Sequence, residues 1–229
     1  MLIVRLKWKE DPEEVWNCVR ENLKGKETKR VKPLYISKLR NKNYISVIFD
    51  VEKIDYIVKF LVEQVGNCQE VGDTQTLTLM KPVFLPIPKE RPKNMCRFSI
   101  FFRVEPKSYH DVYNELLSYR YESSFFANFV AYSLGDFDIM LSTLGEGIDI
   151  VERTVEEKLS RINGVLECTI NEIEKSEHLA NMDTWRRLQK SLLHIPPWVS
   201  KDLKKHYLYD YEMSTEDYCK LTGAMIDEL

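Results

Sequence analysis

The residues that offer the most chemistry for their spacing are Gly135-Asp136-Phe137-Asp138. Main-chain N–H groups exposed at such a turn receive a carboxylate, and the side chain of Asp136 or Asp138 receives an ammonium group. Both halves of an amino acid then find partners. The same four residues also make an ordinary strand-to-strand turn, in which glycine supplies a positive φ and aspartate caps the backbone. Thr169, an outward strand residue further along, adds a hydroxyl, so the candidate ligand-binding set is Gly135, Asp136, Phe137, Asp138 and Thr169.

Nothing comparable points to catalysis or to a metal. His110, His178, His194 and His206 are scattered, without a partner at metal-ligand or triad spacing. Glu146 and Asp149 read as helix-start carboxylates favoured by the helix dipole. There is no glycine-rich phosphate loop and no nucleophile motif. The five cysteines, Cys18, Cys68, Cys96, Cys168 and Cys219, lie far apart and form no C-x-x-C pair. The expectation is a protein that is not an enzyme, with reduced cysteines and neither metal nor cofactor.

The 229 residues are 44% hydrophobic and 30% charged, enough for a sizeable core. A net charge of -3 leaves no general excess of positive charge to neutralise phosphates, so any nucleic-acid contact must be local. No stretch is apolar enough for a secretory signal or a membrane span, so the expected location is cytoplasmic, with no membrane partner.

The elements that must position the Gly135 turn follow a repeated order. Leu2, Val4, Leu6 and Trp8 share one face of a strand; Asp11-Pro12-Glu13-Glu14 then opens a helix whose stripe is Val15, Trp16, Val19 and Leu23. Two strands near 34–39 and 44–49 follow, then a helix with Ile54, Ile57, Val58 and Leu61, and a strand with Leu77 and Leu79. After 81–94, rich in proline, the order returns. Arg97 to Val104, a helix with Tyr109, Val112, Tyr113, Leu116 and Leu117, and strands at 124–132 and 137–141 come first. A helix carrying Ile148, Val151, Val155, Leu159 and Ile162, stopped by Gly164, precedes a last strand with Leu166, Cys168 and Ile170.

The fold class expected is α+β: two tandem ferredoxin-like β-α-β-β-α-β units, each with an antiparallel four-stranded sheet, plus a helical C-terminal segment. The expected divisions are 1–80, a linker at 81–94, 95–176, and a helical extension at 177–229. Pro82, Pro86, Pro88 and Pro92 are too frequent for a regular element, while Val83, Phe84, Leu85 and Ile87 lay the linker along a folded surface. Phe101, Phe125, Phe126, Phe129, Val130, Ala131 and Tyr132 put apolar groups on both faces of their strands. The sheet face away from the helices therefore packs on another sheet, from the other repeat or by self-association of chains.

The segment from Val130 to Leu141, and Ile162-Asn163-Gly164-Val165 followed by Thr169 and Ile173, resemble the effector-binding domain of Lrp/AsnC transcriptional regulators (RAM, ACT-like). The likeness covers about residues 95–175; the first repeat has Asn41-Lys42-Asn43-Tyr44 in place of the Gly-Asp-aromatic-Asp turn. Leu134 stands where that family usually has Thr, and the chain starts in a strand where those regulators carry a helix-turn-helix. The resemblance implies a ligand-responsive regulator that binds a small, amino-acid-like effector and acts in transcription through oligomerisation or a DNA-binding partner. The alternative is a regulator that binds DNA itself. Three short helices are expected over 183–193, 200–208 and 214–227, with Arg186, Arg187, Lys190, Lys201, Lys204 and Lys205 as candidate nucleic-acid contacts. Trp185, Leu188, Leu192, Trp198 and Leu203 equally suit a buried cap.

Overall fold

The computed structural model describes residues 1–90, 92, 94–118, 124–194, 212–214 and 216–217. Its elements run β1 (Leu2–Trp8), α1 (Pro12–Leu23), β2 (Val31–Leu39), β3 (Tyr44–Val51), α2 (Asp55–Gln64) and β4 (Val71–Phe84). The short β5 (Ile87–Pro88) precedes β6 (Cys96–Val104), α3 (Tyr109–Leu117), β7 (Phe125–Leu134), β8 (Ile139–Gly145), α4 (Ile148–Glu157) and β9 (Val165–His178). Then come α5 (Met182–Ser191) and β10 (Glu212–Met213), which pairs in parallel with β5. Helix α1 begins where expected: the Asp11 carboxylate accepts from the N–H of Glu13 at 2.8 Å and of Glu14 at 3.3 Å, with Pro12 first in the helix.

Two separate four-stranded sheets are not what forms. The hydrogen-bonded strand order is β1-β3-β2-β9-β6-β8-β7-β4, and it closes on itself as an eight-stranded antiparallel barrel. Strands β4 and β9 decide this, because each is 14 residues long where a short closing strand was expected. A strand that outruns the partners in its own repeat has N–H and C=O groups to pair further on, and pairing them removes sheet edges. Part of the proline-rich segment is itself strand: β4 runs through Lys81 and Pro82 to Phe84, with Lys81 at a φ of 44°. Proline in a strand is tolerated at an irregularity of this kind.

The chain divides into two compact units, Met1–Leu79 with Ile173–Arg186, and Met80–Glu172 with the segment from Arg187 on. In the first, Leu2, Val4 and Leu6 of β1 and Ile45, Val47 and Phe49 of β3 pack on Val15, Trp16 and Val19 of α1 and on Ile57 and Phe60 of α2. Cys18 and Cys68 are joined by a disulfide, which corrects the expectation of reduced cysteines. They are 50 residues apart in sequence, but α1 and α2 are neighbours and bring their Cα atoms to 5.9 Å. Glu27 fastens the start of α5: its carboxylate accepts from Asn181 N at 2.7 Å, Asn181 Nδ2 at 2.9 Å and Thr184 Oγ1 at 2.7 Å.

In the second unit, Phe98, Ile100, Phe102 and Val104 of β6 and Ile139 and Leu141 of β8 pack on Val112, Tyr113 and Leu116 of α3 and on Val151 and Val155 of α4. The apolar stripe from Ile148 to Ile162 is not one helix, since α4 stops at Glu157 and a 3-10 turn, Leu159–Arg161, carries the chain to Gly164. Of the three expected C-terminal helices, the first corresponds to α5. The second lies outside the described residues, as does most of the third, of which Ser214 is seen accepting from Asp217 N at 3.2 Å. Among the described residues no helix is long and apolar enough to cross a membrane.

Candidate functional site

The turn between β7 and β8 holds four of the five expected ligand residues. Gly135 has a φ of 147°, and Gly135 and Asp136 are exposed. Phe137 stacks on Phe101, ring centroids 4.6 Å apart. Asp138 turns inward: one carboxylate oxygen accepts from the Tyr109 hydroxyl at 2.5 Å and the other from Val104 N at 2.8 Å. Its main chain is held too, with Asp138 N donating to Phe102 O and Ser133 N donating to Asp138 O. The hydrogen bond to Asp138, then burial, raise the pKa of Tyr109. Both oxygens of Asp138 are thus engaged by the protein's own donors, and they tie the turn to the start of α3. Thr169 is half-buried on β9, which β6 separates from β8 in the strand order.

The basic residues expected to contact nucleic acid divide. Arg186, Arg187 and Lys190 lie exposed on α5, while Lys201, Lys204 and Lys205 are outside the described residues. Among the described residues no three His, Cys, Asp or Glu side chains are grouped to hold a metal ion. Cys168 is a poor nucleophile, since burial pushes its thiol up to about 11.

A polar group that sequence reasoning passed over lies in the first unit, on the sheet face away from α1 and α2. Because Leu2, Val4 and Leu6 point into the helix-covered core, the alternation of β1 sends Arg5 to the other face. Arg5 pairs in register with Gln75 of β4 on one side and Ser46 of β3 on the other, and Ser46 pairs with Ser37 of β2. One row of polar residues therefore crosses four neighbouring strands. Arg5 is only 6% exposed, and Ser37 and Ser46 are buried as well. The guanidinium donates to Gln75 Oε1 at 3.1 Å and lies 5.0 Å from the Tyr44 ring centroid. Apolar Ile3, Ile48 and Leu77 form the next row, with Ile3 opposite both of the others. A buried guanidinium among hydroxyls, an amide and an aromatic ring is suited to planar oxyanions. The sequence of β1 carries no sign of this burial, because an arginine two positions from Ile3 reads as solvent-facing until the flanking strands are known.

The second unit has a paired-tyrosine site on its helix side. Tyr113 and Tyr132 stack with centroids 4.1 Å apart, and the Tyr113 hydroxyl donates to Lys81 O at 2.5 Å. Burial pushes Tyr113 up to about 12, and burial raises Tyr132 too. The folded pKa of Tyr113 lies above its unfolded value of about 10, so its stabilising contribution is complete below that pH and is lost as pH rises toward 12. In an alkaline absorbance titration of the full chain we expect one tyrosine to ionise last, near 12, and Tyr113→Phe to remove that step. A wild-type titration complete by pH 11 contradicts the assignment.

No protein-family model matches the chain, and no curated protein matches it in sequence. Solved structures do. A candidate monooxygenase from Lactobacillus acidophilus NCFM aligns over 78% of this chain and 98% of its own, at 9% identity and a TM-score of 0.50. An anthrone oxidase-like protein aligns over 79% of this chain and 93% of its own, at 9% identity and a TM-score of 0.50. A siroheme decarboxylase aligns at 8% identity and a TM-score of 0.49, over 83% of this chain and 78% of its own. At such identities the likeness shows the fold alone. It overturns the Lrp/AsnC assignment: the fold is that of proteins bearing oxygenase and oxidase names, built as a closed barrel. The amino-acid-responsive transcription regulator falls with it, as do its DNA-binding alternative and the exclusion of enzymatic activity. The motif Gly135 to Asp138 misled because a glycine–aspartate turn between two strands is demanded by the backbone in many folds.

Proposed function

We propose that this protein is an enzyme that oxidises a small aromatic substrate with dioxygen, and that Arg5 receives the substrate's ionised oxygen. The observation that carries the reading is the buried Arg5 guanidinium, held by Gln75 and set over Tyr44 in a row with Ser46 and Ser37. The fold shared with the candidate monooxygenase and the anthrone oxidase-like protein supports the reaction class. A phenol or enol that loses its proton becomes electron-rich and more easily oxidised. A neighbouring guanidinium favours that anion, and the low polarity around Ile3, Ile48 and Leu77 strengthens the attraction. For a methylene next to such a ring the balance is CH2 plus O2 giving C=O plus water.

The test uses the full chain with anthrone, following oxygen uptake and quinone formation, and with 4-nitrophenol as an absorbance probe of the bound anion. Wild type should consume oxygen with anthrone and lower the pKa of bound nitrophenol. Arg5→Met should weaken nitrophenolate binding about 10- to 100-fold, the loss expected for one charge-assisted hydrogen bond, while Arg5→Lys keeps part of it. Equal binding by wild type and Arg5→Met places the site elsewhere. Absence of oxygen uptake with retained Arg5-dependent binding removes the oxidase chemistry and leaves an anion site.

A further inference from the structure

We infer that the outer face of α2 is the contact between two copies of this chain. Ile54, at the N-cap of α2, and Val58 and Val62 within it are 53%, 65% and 69% exposed. Their spacing of four residues sets them in one column along the helix, while Ile57 and Phe60 on the opposite side fill the core. Branched side chains at exposed helix positions are unfavourable for the helix itself and have no core to enter. An exposed column of three needs a reason outside the unit.

The identity of the occupant follows from the neighbouring column, Asp55, Lys59 and Glu63, which carries charges in the order negative, positive, negative. Two copies of α2 laid antiparallel about a two-fold axis, with their apolar columns face to face, bring the charged columns together on one side. With the axis passing near residue 60, Val58 of each copy meets Val62 of the other, and Lys59 of each meets Glu63 of the other. Ile54 then lies over Gly66, which is exposed and has no side chain to obstruct it. Lys59 and Glu63 already face each other within one helix at 3.6 Å, both well exposed, so little is lost when they exchange partners. The disulfide from Cys68 to Cys18 ties the segment just beyond α2 to α1. The pattern is self-complementary, which points to a second copy of the chain.

Sedimentation velocity of the full chain, from about 1 µM to about 1 mM, should show a concentration-dependent dimer. Val58→Glu with Val62→Glu should raise the dissociation constant by about 10-fold or more, with circular dichroism unchanged because both positions are exposed. Lys59→Glu alone and Glu63→Lys alone should each weaken the homodimer, whereas an equimolar mixture of those two variants should associate again. Charge pairing between the Asp55–Lys59–Glu63 columns of the two copies predicts that rescue. A monomer at every concentration overturns the proposal, as does a dimer indifferent to the valine changes or charge variants that fail to rescue each other. Cosedimentation of a monomer with phosphatidylcholine vesicles assigns the column to a lipid surface and equally overturns it.

Discussion

Replacing Gly164 by alanine should destabilise the second unit by about 3 kcal/mol or more. Gly164 has a φ of 94°, in the region that L side chains rarely adopt. Space is lacking as well: a Cβ there would lie 2.2 Å from Ser108 Cβ and 2.4 Å from its Oγ. Ser108 cannot retreat easily, being buried and held by its N–H to Glu105 O at 2.8 Å. Gly164 O in turn accepts from Glu105 N at 2.8 Å, so the 3-10 turn, the start of β9 and the entry to α3 meet at one point. Urea unfolding followed by fluorescence and circular dichroism gives the measurement. Ser108→Gly placed beside Gly164→Ala should recover the steric part and leave the backbone part of about 1–2 kcal/mol. A Gly164→Ala protein within about 0.5 kcal/mol of wild type contradicts both arguments.

Asp138→Ala should come next in size, at about 2–4 kcal/mol, because it removes two acceptors and strands their donors. The Tyr109 hydroxyl and the Val104 N–H both lose their partner, and the turn is released from α3. Asp138→Asn should lose less, since its amide oxygen can still accept one of the two. Tyr109→Phe should lose about 1–2 kcal/mol, because it leaves the carboxylate bound to Val104 N. Double-mutant analysis of Asp138→Ala with Tyr109→Phe should show a coupling above about 0.5 kcal/mol, and additivity would mean the short hydrogen bond contributes nothing. The destabilisation should appear without any ligand present.

What could be read from the chain alone was whatever a few consecutive residues settle among themselves. Asp11-Pro12 starts α1 because the cap and the missing donor act within one turn of helix. Val15, Trp16 and Val19 face the core because helical spacing puts them on one side, and Leu2, Val4 and Leu6 do so by the alternation of a strand. Gly135 and Gly164 mark turns because their backbone conformations exclude most side chains. Tertiary structure decided the rest. Alternation tells which face of a strand is covered but not which strand lies beside it, and the ring closes only because β4 and β9 run on for 14 residues. The Cys18–Cys68 bond depends on where α1 packs against the segment that follows α2, which cysteine spacing does not record. Arg5 escaped notice for the same reason: its charge reads as solvent-facing until β3 and β4 flank it and the far side of the sheet proves buried. Local interactions are encoded within a turn or a strand pair, whereas barrel closure and the burial of a charge belong to contacts between residues dozens of positions apart, where no single segment carries the information.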